Sequence, residues 1–210
     1  MSCLEEPLTK YLDDLASDRP APGGGSAAAV AGALGAALGS MVANFTVGKE
    51  KFKDVEAEAQ SALERCEELR RALTRLIQDD IDAYSAYAKA SQLPRGTEAE
   101  KAQRREAVQE AMKVAAAAPF TVCTRCMEVL EVLRELLKIG NPNLISDVGC
   151  GAELAYAAMR AALLNVEINH SFLKDAQFVD EQKAKLEVIL PKAEGLRNTI
   201  WEETRKKLSG

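Results

Sequence analysis

Three carboxylates in a tight run are the first sign of chemistry in this sequence. Asp79, Asp80 and Asp82 stand in Gln78-Asp79-Asp80-Ile81-Asp82-Ala83-Tyr84, inside a segment of helical periodicity. Charges this close repel, so at least one gains from a cation, a buried partner or a raised pKa. Leu73, Leu76, Ile77 and Tyr84 make an apolar stripe that Asp80 shares, while Asp79 and Asp82 point further round. Asp80 is therefore expected to be buried, and a buried carboxylate is suited to moving protons. The other reading of the run is a solvated cluster on a helix surface.

Further polar residues gather at helix ends. Lys49 follows Gly48, a plausible stop after an apolar helix. Ser146 and Asp147 open another helix, where either can act as the N-cap. Asn165 and Asn169 lie one turn apart on one face. If buried, these amides need partners: each other, backbone or a ligand. Cys123-Thr124-Arg125-Cys126 has no second pair or nearby histidine, so it reads as two core-facing thiols rather than a zinc site. His170 is the single histidine and reads as a surface or capping residue. One histidine gives little scope for a Ser-His-Asp or Cys-His mechanism.

The element that must position these groups is Pro20–Thr46, which carries no charge in a chain that is 28% charged. Pro20 and Pro22 favour an extended approach. Gly23, Gly24 and Gly25 then allow close backbone contacts. Ser26 is expected to cap a helix over about Ser26–Phe45, whose free N–H groups suit an anion or a polar ligand edge. A tight turn ahead of a core helix is the plainer reading. The helix is small and apolar on every side, which predicts burial all round. It is not a dinucleotide fingerprint, because the glycine spacing is wrong and no strand precedes it.

The remaining elements are also helical. Amphipathic spacing predicts a helix at Leu4–Ala16, with Leu4, Leu8, Tyr11, Leu12 and Leu15 on one face. A long helix follows over Phe52–Ala90. After the break at Leu93-Pro94-Arg95-Gly96, Thr97 and Glu100 have capping-box spacing. That helix runs to Ile139, with Pro119 expected to kink or restart it. A second Ala-rich helix covers Val148–Phe172, and a last one about Asp180–Lys207 contains Pro191 and Trp201. The fold class is all-α: a single domain over residues 1–210, a bundle of about six or seven helices around two Ala/Gly-rich central ones. Aromatic content of 5% and abundant Ala, Leu, Glu, Lys and Arg agree with helix.

Net charge of −5 with mixed signs gives no footprint for nucleic acid. Met1–Lys10 has no apolar run, so no signal peptide is expected. The uncharged stretch is too weakly hydrophobic to read as a membrane span. These features suggest a cytoplasmic protein with reduced cysteines.

The Pro-x-Pro-Gly-Gly-Gly-Ser turn, the Ala/Gly helix and the exit Met41-Val42-Ala43-Asn44-Phe45-Thr46-Val47-Gly48-Lys49 resemble the formiminotransferase-cyclodeaminase C-terminal domain family. The resemblance extends through Asp80-Ile81-Asp82-Ala83-Tyr84, Leu93-Pro94-Arg95 with Thr97, Pro119, Ser146-Asp147 and Asn165-Val166-Glu167-Ile168-Asn169. It implies chemistry at the bridge between N5 and N10 of tetrahydrofolate. The first reading is a formiminotetrahydrofolate cyclodeaminase of histidine degradation, forming 5,10-methenyltetrahydrofolate and ammonia. The alternative is a methenyltetrahydrofolate cyclohydrolase, and a non-catalytic folate-binding helical homodimer is the alternative outside enzymes. The resemblance gives Asp80 the acid/base role, with Asp147 second. It lets Lys49 tune Asp80 or bind a folate carboxylate. Gly23, Gly24, Gly25 and Ser26 would bind the pterin or hold the site backbone. Asn44, Thr46, Tyr84, Ser146, Asn165 and Asn169 would complete the substrate site. It implies a homodimer, no metal, and no cofactor beyond the folate substrate. No attached formiminotransferase domain is expected, which weighs against channelled deaminase activity.

Overall fold

The computed structural model describes residues 3–209. Six α-helices account for most of them: α1 (Leu8–Leu15), α2 (Gly24–Asn44), α3 (Glu56–Ser91), α4 (Glu98–Ile139), α5 (Ile145–Phe172) and α6 (Ala176–Ser209), with short 3₁₀ turns at Cys3–Glu5, Glu50–Val55 and Pro142–Leu144. No strand occurs among the described residues. The all-α reading holds, and the two Ala/Gly-rich helices are central as expected.

Helix α2 packs against α5, α3 and α4, α4 lies against α3 and α5, and α6 covers α5 and α4 from outside. Glycine makes the central contact possible. A Cβ on Gly35 would sit 2.9 Å from the Gly151 carbonyl oxygen and 3.2 Å from Ala155 N, so α2 and α5 meet backbone to backbone. Beside that contact, Cβ atoms on Gly32 and Gly39 would lie 2.8 Å and 2.7 Å from the sulfurs of Cys126 and Cys66. The cysteines thus fill the space beside the glycines. Burial pushes the Cys66 and Cys123 thiols up to about 12, and Cys126 higher still, so the Cys-x-x-Cys is core packing.

Several expectations need correction. The Leu4–Ala16 helix is broken: Pro7 is the N-cap residue of α1, and only Tyr11 of its apolar face is buried. Helix α2 is not buried all round, since Leu34 is 52% exposed and Met41 39%. It is the one described helix long and apolar enough to cross a membrane, and 56% of its most apolar window is packed inside the bundle. Helix α3 starts four residues late because Glu50–Val55 winds as 3₁₀, after Gly48 at φ +70°. Helix α4 runs unbroken through Pro119. His170 is not a surface residue: it is 8% exposed, and its Nε2 pairs with Gln182 Oε1 at 2.8 Å. The capping box at Thr97 and Glu100 is formed as expected.

Candidate active site

The site is built where α2 begins. Ser26 is not the N-cap. The helix starts at Gly24, Gly23 is the extended residue before it, and no side chain of this segment caps it. The cap comes from α3, where Asp80 Oδ2 accepts the Ser26 N–H at 2.9 Å. Gly25 permits this approach, because a Cβ there would lie 2.2 Å from Asp80 Oδ1 and 2.8 Å from its Cγ. Ser26 is fully buried, and its hydroxyl is hydrogen-bonded to the Tyr11 hydroxyl at 2.8 Å. Helix α1, through its one buried residue, thus braces the turn that holds the carboxylate.

Burial raises the Asp80 pKa above its ordinary value, and the Ser26 N–H works against that rise. Asp79 and Asp82 stay exposed, and Asp82 accepts the Gln78 amide at 2.9 Å. The rise is therefore an effect of burial rather than of repulsion within the run. Burial likewise raises Tyr11, with the Ser26 hydroxyl opposing and the negative charge of Asp80 adding a little.

Asp80 opens into a cavity of about 300 Å³. One wall is Pro20, Ala21 and Gly23–Gly25, and the second is Asp80, Tyr84 and Tyr87 of α3. Met112 and Ala115 of α4 close the floor, with Asn165, Ile168, Asn169 and Phe172 of α5 opposite. Asp80 is the one charged side chain in this lining. Asn165 Nδ2 donates to its own helix at Ala161 O, 2.9 Å away, and its side chain lies over Gly24. Asn169 Nδ2 reaches across to Ala115 O at 3.0 Å. An apolar cleft with aromatic walls, two amides and one proton-active carboxylate matches a small-molecule site. No group of three or more His, Cys, Asp or Glu that could hold a metal occurs among the described residues.

The expected site residues divide into two sets. Gly23, Gly24, Gly25, Ser26, Asp80, Tyr84, Asn165 and Asn169 come together here. Asn44, Thr46, Lys49, Ser146 and Asp147 do not. Helices α2 and α5 run antiparallel, Gly24 against Asn165 and Gly35 against Gly151. Asp147 is therefore about 27 Å along α5 from Asn165, at 1.5 Å per residue. Asp147 and Ser146 sit in the first turn of α5 without capping it, because the N-cap residue is Leu144. Thr46 is fully buried, donating to Val42 O at 2.8 Å and accepting the Asn141 N–H at 3.0 Å, which leaves its hydroxyl no role toward a ligand. Ser146 lines a separate apolar cavity with Cys150, Leu154 and Trp201. Tyr87, Met112, Ile168 and Phe172 were not anticipated. For two of them the sequence holds a signal in its spacing: Tyr87 lies seven residues after Asp80 and Phe172 seven after Asn165.

The family model described as formiminotransferase-cyclodeaminase matches residues 7–188. The chain is 44% identical to a methenyltetrahydrofolate cyclohydrolase of Methylorubrum extorquens, over 97% of this chain and 98% of that one. It is 32% identical to a formimidoyltransferase-cyclodeaminase of Sus scrofa, matching 91% of this chain but spanning only 36% of that relative's length. Among solved structures it resembles a formiminotetrahydrofolate cyclodeaminase from Thermotoga maritima, with a TM-score of 0.81, 32% identity, and coverage of 98% and 97% of the two chains.

Proposed function

The chain belongs to the formiminotransferase-cyclodeaminase family, and we propose that it is a one-carbon folate enzyme working at the N5–N10 bridge of tetrahydrofolate in the Asp80 cavity. One observation carries the reading: a half-buried carboxylate with a raised pKa, held on the first turn of α2, is the one charge in a cavity with aromatic walls. The methenyl bridge is a cationic amidinium, so a lone carboxylate complements it. In hydrolysis, water adds to the bridge carbon while Asp80 takes a proton from it. The C–N5 bond then breaks as that proton passes from Asp80 to N5, and the hydroxyl proton of the tetrahedral carbon is released to solvent as the N10-formyl C=O forms. In cyclodeamination, N10 adds to the formimino carbon and ammonia leaves after protonation. Both routes pass through a tetrahedral carbon and need one group that first accepts and then gives a proton. Tyr84, Tyr87 and Phe172 supply flat apolar surface for the pterin, and Asn165 and Asn169 supply polar contacts to its edge.

The 44% identity to a cyclohydrolase over nearly the whole of both chains makes hydrolysis the first activity to assay. Purified protein is given methenyltetrahydrofolate, and its absorbance is followed. In parallel it is given 5-formiminotetrahydrofolate, and methenyl formation and ammonia are followed. A fast fall in the first assay identifies the hydrolase, and a fast rise with ammonia in the second the deaminase. Rates no better than the uncatalysed ones in both sink the reading.

The working unit in this reading is a homodimer formed through the outward faces of α2 and α5. Ala27, Val30, Ala31, Leu34, Leu38 and Met41 make an apolar stripe on α2. Next to it on α5 run Leu154, Ala157, Ala161, Leu164 and Ile168, with Leu164 66% exposed. Such a continuous apolar surface on two adjacent helices suits a second copy. The cavity opens at this face, since Ile168 and Phe172 line it. A two-fold axis running across α2 and α5 would set the partner's lower end, with its own Lys49 and Asp147, over the cavity mouth. Mixing Asp80→Asn chains with Lys49→Ala chains would then restore about a quarter of wild-type activity in random dimers.

A further inference from the structure

Helix α4 carries a proline in its middle and does not break there. A helical proline has no N–H to donate to the carbonyl four residues earlier, and its ring crowds that carbonyl and tilts it outward. For Pro119 that carbonyl belongs to Ala115. Its helical donor is missing by covalent structure, yet it is not left unpaired. Asn169 Nδ2 of α5 donates to it at 3.0 Å, across 54 residues of sequence. Ala115 and Asn169 both line the Asp80 cavity.

The contact settles which way the Asn169 amide faces. A carbonyl oxygen can only accept, so the nitrogen of the amide must point to Ala115. The Asn169 oxygen is then left without a protein donor among the described residues, on a side chain that lines the cavity. Asn165 provides the contrast. Its nitrogen donates to Ala161 O, the carbonyl four residues back in its own helix, a position that normally has a backbone donor.

We propose that Pro119 is a positioning residue for the cavity: by removing one helical N–H it frees the Ala115 carbonyl to fix the Asn169 amide with its oxygen toward the ligand. The class of ligand group recognised is an N–H donor, such as those along one edge of a pterin ring. Pro119 itself touches no substrate in this scheme. The consequence for turnover rests on the folate reading above, whereas the positioning does not.

The test compares Pro119→Ala, Asn169→Ala, their double variant, and Pro191→Ala, which removes the helical proline of α6, away from the cavity. The Pro119→Ala change restores an N–H at that position and lets the Ala115 carbonyl return to the helix ladder. Pro119→Ala and Asn169→Ala should each raise KM for the folate substrate about tenfold, the size of one lost neutral hydrogen bond. The double variant should be no worse than either single one. Pro191→Ala should leave KM unchanged. Pro119 is buried, so in Pro119→Ala the restored helical N–H is offset by the packed ring atoms lost, and KM rather than Tm separates the readings. A merely structural proline would leave KM unaltered. KM within about twofold of wild type in Pro119→Ala, or losses that multiply in the double variant, overturns the proposal. A second readout needs no turnover. The Asn169 side-chain amide signal in NMR spectra, assigned by its loss in Asn169→Ala, should shift in Pro119→Ala and stay in place in Pro191→Ala. If wild type turns over neither folate but this signal shifts, the functional reading fails and the positioning stands. If turnover is normal and the signal does not move, the positioning fails alone.

Discussion

At its N-terminal end α2 presents Gly24 and Gly25 to a cavity, with Ser26 buried behind them. At its C-terminal end Asn44, Phe45 and Thr46 meet the loop that leads into α5. Both ends hold a hydrogen bond to a distant part of the chain. At the first end the distant group is the Asp80 carboxylate, which accepts one backbone N–H and belongs to a residue that lines the cavity. At the second it is the Asn141 backbone N–H, which donates to a Thr46 hydroxyl already engaged with Val42 O. Packing there leaves no room: a Cβ on Gly140 would lie 2.8 Å from Val42 Cγ1. A helix end becomes a site when its partner is titratable and has an open side, and a seal when its buried hydroxyl, like that of Thr46, already has protein partners.

The largest effect should come from Asp80→Asn. It keeps the acceptor for Ser26 N–H but removes proton transfer, so kcat should fall by about 10²–10⁴ with the fold intact. Unaltered kcat would erase the difference between the two ends. The same residue predicts opposite pH trends in wild type. Its pKa is raised in the folded chain, so folding favours its protonated form. Stability should therefore decline as pH climbs from 3.8, the value of an unburied aspartate, to the raised folded value. Activity that needs the carboxylate should rise over that same interval. Chemical denaturation and kcat/KM profiles would show both, and Asp80→Asn should flatten the stability trend that is due to this residue.

Gly25→Ala should come next. The new methyl group meets the carboxylate at 2.2 Å, so Asp80 must turn away from α2. Activity should drop at least about tenfold and stability by about 1–3 kcal/mol, the usual cost of overpacking. Adding Asp80→Ala should return stability without activity. If Gly25→Ala is harmless on both counts, the close approach is not needed. Thr46→Val should be the smallest in its effect on turnover. It leaves the Asn141 N–H without its acceptor and costs about 1–3 kcal/mol of stability, with kcat and KM as in wild type. A clear change in KM would mean that the sealed end communicates with the ligand.

Asp80 could be picked out from the sequence because the apolar stripe around it repeats at helical spacing, and the Thr97–Glu100 capping box because both its residues lie within one turn. The cap of α2 could not. Ser26 is a good capping residue by type, yet the group that does the work comes from a residue 54 positions away, and local preference carries no trace of it. The grouping of Lys49, Asn44, Thr46, Ser146 and Asp147 with Asp80 failed within one chain for a related reason. Motif resemblance records which residues recur, while the antiparallel run of α2 and α5 decides which of them meet. His170 was misplaced because its partner, Gln182, lies in the next helix.

One carboxylate serves as both the cap of α2 and the proposed proton carrier, and this couples activity to a small part of the molecule's motion. The first turn of α2 contains two glycines, which favour helix weakly, so it is a natural place for opening that involves only one end of the bundle. When that turn frays, Asp80 loses its N–H donor and its burial together, and its proton affinity returns toward that of a free aspartate. On warming, the chain should fall silent while most of its helix is still wound, and it should recover on cooling without having to refold.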